Sequence, residues 1–262
     1  MLKNIHFNYA ALATSMLALA GCTGMGETRS SVEVPGEPAS AKAQLLEAGA
    51  SVMQTDTPPS QLDVYLVGFH PLKKEPLHQF EAHHFCDQVN EDFLQCALYD
   101  GNTEDAKLNG IEYIISEELF EQLPEEEKQF WHPHNGEILS GQLVAPNLPV
   151  AAEHELMKSK INSYGKTWHT WDTAHGAQSE GGEASLPLGE PSLAWSFNRN
   201  SEANPDLIEE RDQRMGIDTE QRRKARQDLV PLAKPQSGID TLQGEFPRPT
   251  QPIPGVEAKS SN

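Results

Sequence analysis

The stretch His83-His84-Phe85-Cys86-Asp87-Gln88-Val89-Asn90-Glu91-Asp92-Phe93-Leu94-Gln95-Cys96-Ala97-Leu98-Tyr99 decides the fold class. Two runs, His83 to Gln88 and Phe93 to Tyr99, flank the polar turn formers Asn90-Glu91-Asp92, which predicts an antiparallel hairpin with a three-residue loop. In that register Cys86 faces Cys96. Upstream, Leu62 to Phe69 is apolar on both faces, as a strand inside a sheet is, and Ser40 is a suitable N-cap for a helix over AKAQLLEAGASVM. Downstream, Ile111 to Ile115 reads as a strand, and Ser116 to Leu123 and Pro124 to Phe130 as acidic helical turns. Glu137 to Val144 reads as a strand, Pro149 to Tyr164 as a helix closed by Gly165, and Lys166 to Trp171 as a strand again. The sum is a single compact mixed domain of the α+β class over residues 41–200.

The chain has 262 residues, 37% of them hydrophobic, with 39 Asp and Glu against 20 Lys and Arg and a formal charge of −19. Nucleic acid is excluded as a partner, because binding it requires cationic surface that displaces counterions. The charge is unevenly placed: residues 201–262 carry 11 acids and 9 bases, so the remaining chain holds nearly all the excess.

The beginning of the chain carries an address. Lys3 precedes the apolar run Ala10 to Ala20, and Leu19-Ala20-Gly21-Cys22 matches the bacterial lipoprotein signal. A signal peptide over residues 1–21 is expected, with Cys22 lipidated at the new N-terminus. A diacylglyceryl cysteine supplies the two chains that stable anchoring requires. The partner so implied is a membrane, reached through Cys22; with Thr23 in the following position rather than Asp, the expected location is the periplasmic face of the outer membrane. Residues 22–40 read as a flexible tether. After the domain, residues 201–230 read as a polar helical arm interrupted near Gly216, and residues 231–262 as a Pro-rich disordered tail.

Several chemistries are excluded. The sequence holds no G-x-S-x-G, no Walker-type phosphate loop, no G-x-G-x-x-G and no C-x-x-C. His154-Glu155-Leu156-Met157-Lys158 lacks the second imidazole of a zinc-protease helix. The histidines, however, cluster: six of ten lie in Gly68-Phe69-His70, His83-His84-Phe85-Cys86, Trp131-His132-Pro133-His134 and Thr167-Trp168-His169. Pro133 holds His132 out of the helical region, which predicts an extended H-P-H unit with both imidazoles on one side. Glu137 follows three residues on. This is a donor set for zinc or another divalent transition ion, with His84 or His169 as a remote third nitrogen. The competing reading is a turn in which these histidines bond backbone groups and hold no metal, and it comes first because the sequence specifies no ligand triad. Cys86 and Cys96 likewise have two readings, a disulfide across the hairpin or two small buried thiols.

The segments PGEPASAKAQLLEAGA, FHPLKKEPLHQFEAHHFC, QCALYDG, GIEYIIS, LPEEEKQFWHPHNGEILSG and YGKTWHTW, in this order, resemble the oil-body-associated protein family over about residues 35–226. The resemblance implies a domain of unknown function whose plant members associate with seed oil bodies. It matches at His84, Cys86, Cys96, His132, His134, Glu137 and His169, and departs at His83, where plant relatives tend to have Asn. Since those relatives carry the cysteine pair in a reducing cytosol, it also implies that the family fold does not depend on a disulfide. The leading functional reading is a lipid-anchored envelope protein acting as a binding module. The alternative is a metal-dependent enzyme, with hydrolase or oxygen chemistry, using His132, His134 and Glu137.

Overall fold

The computed structural model describes residues 26–55, 57–173 and 185–260; the signal segment and Cys22 lie outside them. Its frame is an antiparallel sheet of β1 (Val64–Leu72), β2 (Glu75–Asn90), β3 (Phe93–Tyr99), β4 (Leu108–Ile115), β5 (His132–Pro133), β6 (Tyr164–His169) and β7 (Ser192–Leu193), ordered β1-β2-β3-β4-β6-β5, with β7 also on β6. The segment after β7 links the two sides. Ala194 N donates to Thr167 O of β6 and Trp195 N donates to Pro71 O of β1, so the sheet curls and encloses an interior. With the helices packed around it, the domain is α+β.

The hairpin forms as its sequence predicts. Residues pair from His84↔Leu98 to Gln88↔Leu94 in one register, which places Cys86 opposite Cys96, and the register shifts only at Asn90. The two cysteines are joined by a disulfide. Period-two alternation then sends Phe80, His84 and Cys86 of β2, and Gly110, Glu112 and Ile114 of β4, to the inner face.

Two expectations about local structure change. Glu137 to Val144 is not a strand: α4 (Asn135–Leu139) begins directly after His134, and a turn at Gly141, with φ 80, follows it. The helix expected to end at Gly165 is α5 (Val150–Lys160), and Gly165 lies inside β6. Tyr164 stacks on Phe120 of α2 (Glu117–Glu121) with ring centroids 3.6 Å apart, and that packing takes the segment into the sheet.

The expected tether and tail also behave differently. Thr28 and Val32 are buried, and the anchoring is polar: Thr28 N donates to Asn102 Oδ1 at 2.7 Å and Ser30 Oγ to Asp100 at 2.6 Å. Apolar content gave no sign of this. Conversely α1 (Ala41–Met53), capped by Ser40 as predicted, buries none of its residues. The arm, α6 (Pro205–Met215) and α7 (Thr219–Ala225), inserts buried Arg211 and Arg226 into the domain. Residues 231–260 are ordered on it rather than disordered. Ile239, Leu242 and Ile253 are buried, and β9 (Gln251–Pro252) pairs with β8 (Arg199–Asn200). Three apolar anchors spread over a Pro-rich segment suffice, because Gln236 ties it down at Asn135 N and Ser163 O. No helix among the described residues is long and apolar enough to cross a membrane.

Candidate functional site

The interior of the curled sheet is polar. His70 from β1, His84 from β2, Glu112 from β4, His132 from β5 and His169 from β6 are all buried there, joined by His134 and Glu137 from the turn into α4. Every metal candidate read from the sequence is therefore in one cluster. Sequence reasoning missed Glu112 and left His70 out of the ligand set. Glu112 sits in Ile111-Glu112-Tyr113, and in β4 it is the carboxylate that is buried while Ile111 and Tyr113 are 40% and 38% exposed. The signal was its phase with Ile114, which reverses the usual rule that apolar residues point inward.

At the centre three ligand-type atoms form a triangle. His132 Nε2 and His134 Nε2 are 3.2 Å apart, His134 Nε2 is 3.2 Å from Glu112 Oε1, and His132 Nε2 is 3.5 Å from the same oxygen. Tetrahedral ligands bound at 2.0–2.1 Å are separated by about 3.3–3.4 Å, so these edges have the dimensions of one face of a zinc polyhedron. Glu137 Oε2 lies 4.0 Å from His134 Nε2, and the donor atoms of His132, His134 and Glu137 all fall within 4.8 Å of one another.

The proton inventory favours a cation there. Ser163 Oγ donates to Lys160 O at 2.8 Å, so it accepts from His134 Nδ1, also at 2.8 Å. His134 therefore carries its proton on Nδ1 and offers a lone pair from Nε2 to the triangle. His84 places Nδ1 3.1 Å from Ala82 O and Nε2 2.8 Å from Glu112 Oε2. Burial lowers His132 to about 3 and His169 to about 4, with neighbouring imidazoles adding to the effect; His70 is also held well below its ordinary value. These imidazoles are neutral at physiological pH, as metal ligation requires.

The two carboxylates are driven apart. Burial pushes Glu112 up, but the surrounding imidazoles, His134 and His84 foremost, outweigh it and hold Glu112 well below the carboxylate range. Glu137, buried without such partners and facing the Glu112 charge, is raised well above it. One anion beside one neutral acid is the pattern of divided acid and base roles.

Gly165 backs the triangle. A Cβ there would fall on Glu112 Oε1 and within 2.6 and 2.7 Å of His134 Nε2 and His132 Nε2, so glycine is needed where the β6 backbone passes the ligands. On the far side, His169 lines an open cavity of about 260 Å³ together with Phe80, His78, Thr170, Asp172 and Ser192. His83, by contrast, faces away from the cluster and contacts Tyr65 Oη at 2.7 Å and Glu81 at 3.0 Å. Thus the described residues bring together His84, His132, His134, Glu137 and His169, while Cys86 and Cys96 line the same inner face, with Cys96 paired directly to Glu112 in the sheet register.

Comparison with known proteins is consistent in one direction. Residues 56–230 match the family described as protein of unknown function (DUF1264). The chain is 35% identical over 215 residues to oil body-associated protein 1B of Arabidopsis thaliana, covering 82% of this chain and 85% of that protein. It is 37% identical over 206 residues to oil body-associated protein 2A of Zea mays, covering 78% and 79%. No solved structure matches.

Proposed function

Because the chain belongs to the DUF1264 family, the family of the plant oil body-associated proteins, we propose that it is a lipid-surface protein whose domain binds a divalent transition ion in its buried histidine–glutamate pocket. The observation that carries the metal reading is the triangle of His132, His134 and Glu112. Three buried ligand-type atoms lie 3.2–3.5 Å apart, and His134 has its Nδ1 turned to Ser163, so a cation among them would be met by two imidazole nitrogens and a carboxylate oxygen. The nitrogen-rich set suits zinc, iron, copper or nickel more than calcium or magnesium, which take oxygen ligands. Attachment to the surface runs through Cys22. The acidic surface opposes adsorption to anionic headgroups, so the lipid and not charge holds the protein.

Two experiments test the parts separately. Elemental analysis of the full-length chain, extracted in detergent and purified without a His tag, should find stoichiometric transition metal that is lost in His132→Ala/His134→Ala. A protein free of metal, with no uptake on reconstitution, overturns the metal reading. Cys22→Ser should move the protein from the membrane fraction to the soluble one, and continued sedimentation with membranes overturns the anchor.

The cavity at His169 favours an enzymatic use of the pocket, as it offers a small molecule space beside one member of the cluster. A bound ion of this kind lowers the pKa of its water to about 7 and supplies a nucleophile, or, with iron or copper, oxygen chemistry. Glu137, raised and neutral, is the residue placed to exchange a proton beside it. Metal-dependent turnover that survives loss of His132 and His134 would sink this use.

A further inference from the structure

The triangle leaves half of the cluster unexplained. His70, His84 and His169 are as buried as the proposed ligands, yet a single ion at His132, His134 and Glu112 has no need of them. Two of them repeat one edge of the first set. His70 Nδ1 and His169 Nε2 are 3.2 Å apart, again the edge of a tetrahedral site, and Phe80 stacks on His169 at 4.4 Å with planes 7° apart, fixing that ring. His70 meets His84 and His132 edge-on at 5.0 and 5.8 Å between centroids. Its donor atom, that of His132 and a Glu112 oxygen all lie within 4.8 Å of one another, so this second group shares ligands with the first. Glu112 supplies the link: Oε1 faces His132 and His134, whereas Oε2 faces His84 at 2.8 Å.

Resting on the metal reading above, we infer that His70, His84 and His169 form a second transition-ion subsite and that Glu112 bridges the two ions through its two oxygens, making the pocket a dinuclear centre. Paired ions about 3.5–4 Å apart are the spacing that a bridging carboxylate supports. The ligand count fits the chemistry: each ion receives at least two imidazoles and one oxygen of Glu112. Buried Asn109 and Thr173 bond one another at 2.9 Å beside β6, and Thr170 N donates to Asn109 O at 2.8 Å, which holds the end of the strand that carries His169.

The test is a cobalt(II) titration of the metal-stripped full-length protein in detergent, followed by optical absorption and low-temperature EPR. Two equivalents are expected, with the EPR signal of the second attenuated by coupling through the bridge. His70→Gln/His169→Gln should retain one equivalent, uncoupled. Uptake that stops at one equivalent in the wild type and disappears in His132→Ala/His134→Ala overturns the second subsite and leaves the first. Two equivalents with the signals of isolated ions overturn the bridge and therefore the proposal. No uptake by the wild type overturns both readings. Should the His70/His169 variant fail to fold by circular dichroism, the wild-type stoichiometry and coupling decide alone.

Discussion

Ser163 sets the proton of His134. Its Oγ donates to the Lys160 carbonyl at the end of α5 and accepts from His134 Nδ1, each at 2.8 Å, so a helix terminus determines which imidazole nitrogen faces the interior. Removing such an outer partner leaves the ring free to change tautomer and angle, which typically weakens metal binding 10–100-fold. Ser163→Ala is expected to lower zinc affinity by that range in a competition titration with a chromophoric chelator. Unfolding temperature should change little, because one neutral hydrogen bond contributes about 1 kcal/mol.

Gly165→Ala is a stricter test of the triangle. The added methyl has no space that is not occupied by Glu112, His132 or His134, so the ligands must move apart. Metal uptake by elemental analysis should fall at least tenfold, with a loss of about 1–3 kcal/mol from overpacking in urea unfolding. Gly110→Ala tests a different contact, since its Cβ would meet backbone at Trp168 before reaching His169.

Acid stability should depend on a pair outside the cluster. Burial raises Glu81, but the hydrogen bond and charge of His83 and the Arg214 guanidinium of α6 outweigh it and hold the carboxyl at about 2, below its ordinary 4.5. A depressed folded-state value means that the stabilisation is complete above pH 4.5 and is lost as pH falls from there toward 2. Its size is on the order of 3 kcal/mol. Urea midpoints measured at pH 7 and pH 3 should differ less in Glu81→Gln than in the wild type; equal differences would refute the assignment.

Arg226 holds the turn that follows α4. Nη1 donates to the Ile138 and Leu143 carbonyls, both at 2.8 Å, and Nη2 to Glu153 at 3.1 Å, all in the interior. Burial lowers the guanidinium to about 10, still charged at neutral pH. Arg226→Met orphans two carbonyls and removes one of the two arginines on Glu153, and should cost about 3–5 kcal/mol in chemical unfolding. As Ile138 follows Glu137, metal affinity should fall as well.

Local chemistry was legible where neighbours along the chain decide the outcome. Ser40 capped its helix, Asn90-Glu91-Asp92 turned the hairpin, and Pro133 kept His132 extended. The hairpin register followed from loop length alone, which brought Cys86 to Cys96, and the spaced motifs along the chain identified the family. Residues 137–144 misled because their strand-like alternation was overruled by Arg226, at the end of the distant α7, which donates to the Ile138 and Leu143 carbonyls.

The site itself belongs to the tertiary structure. The sequence by itself determined the α+β class, the opposition of Cys86 and Cys96 across the hairpin, the family and most of the histidines worth naming. Only the curled sheet decided that His70, His84, Glu112, His132 and His169, contributed by five strands, meet in one interior, and that a charged residue rather than Ile111 or Tyr113 points into it. It likewise decided that the Pro-rich end packs over the site while the leucines of α1 remain exposed. The physical reason is that burial and the value of a buried charge depend on what lies across space. A glutamate surrounded by imidazoles is held anionic in a place where its strand neighbours would suggest an apolar side chain, and no local pattern encodes those partners.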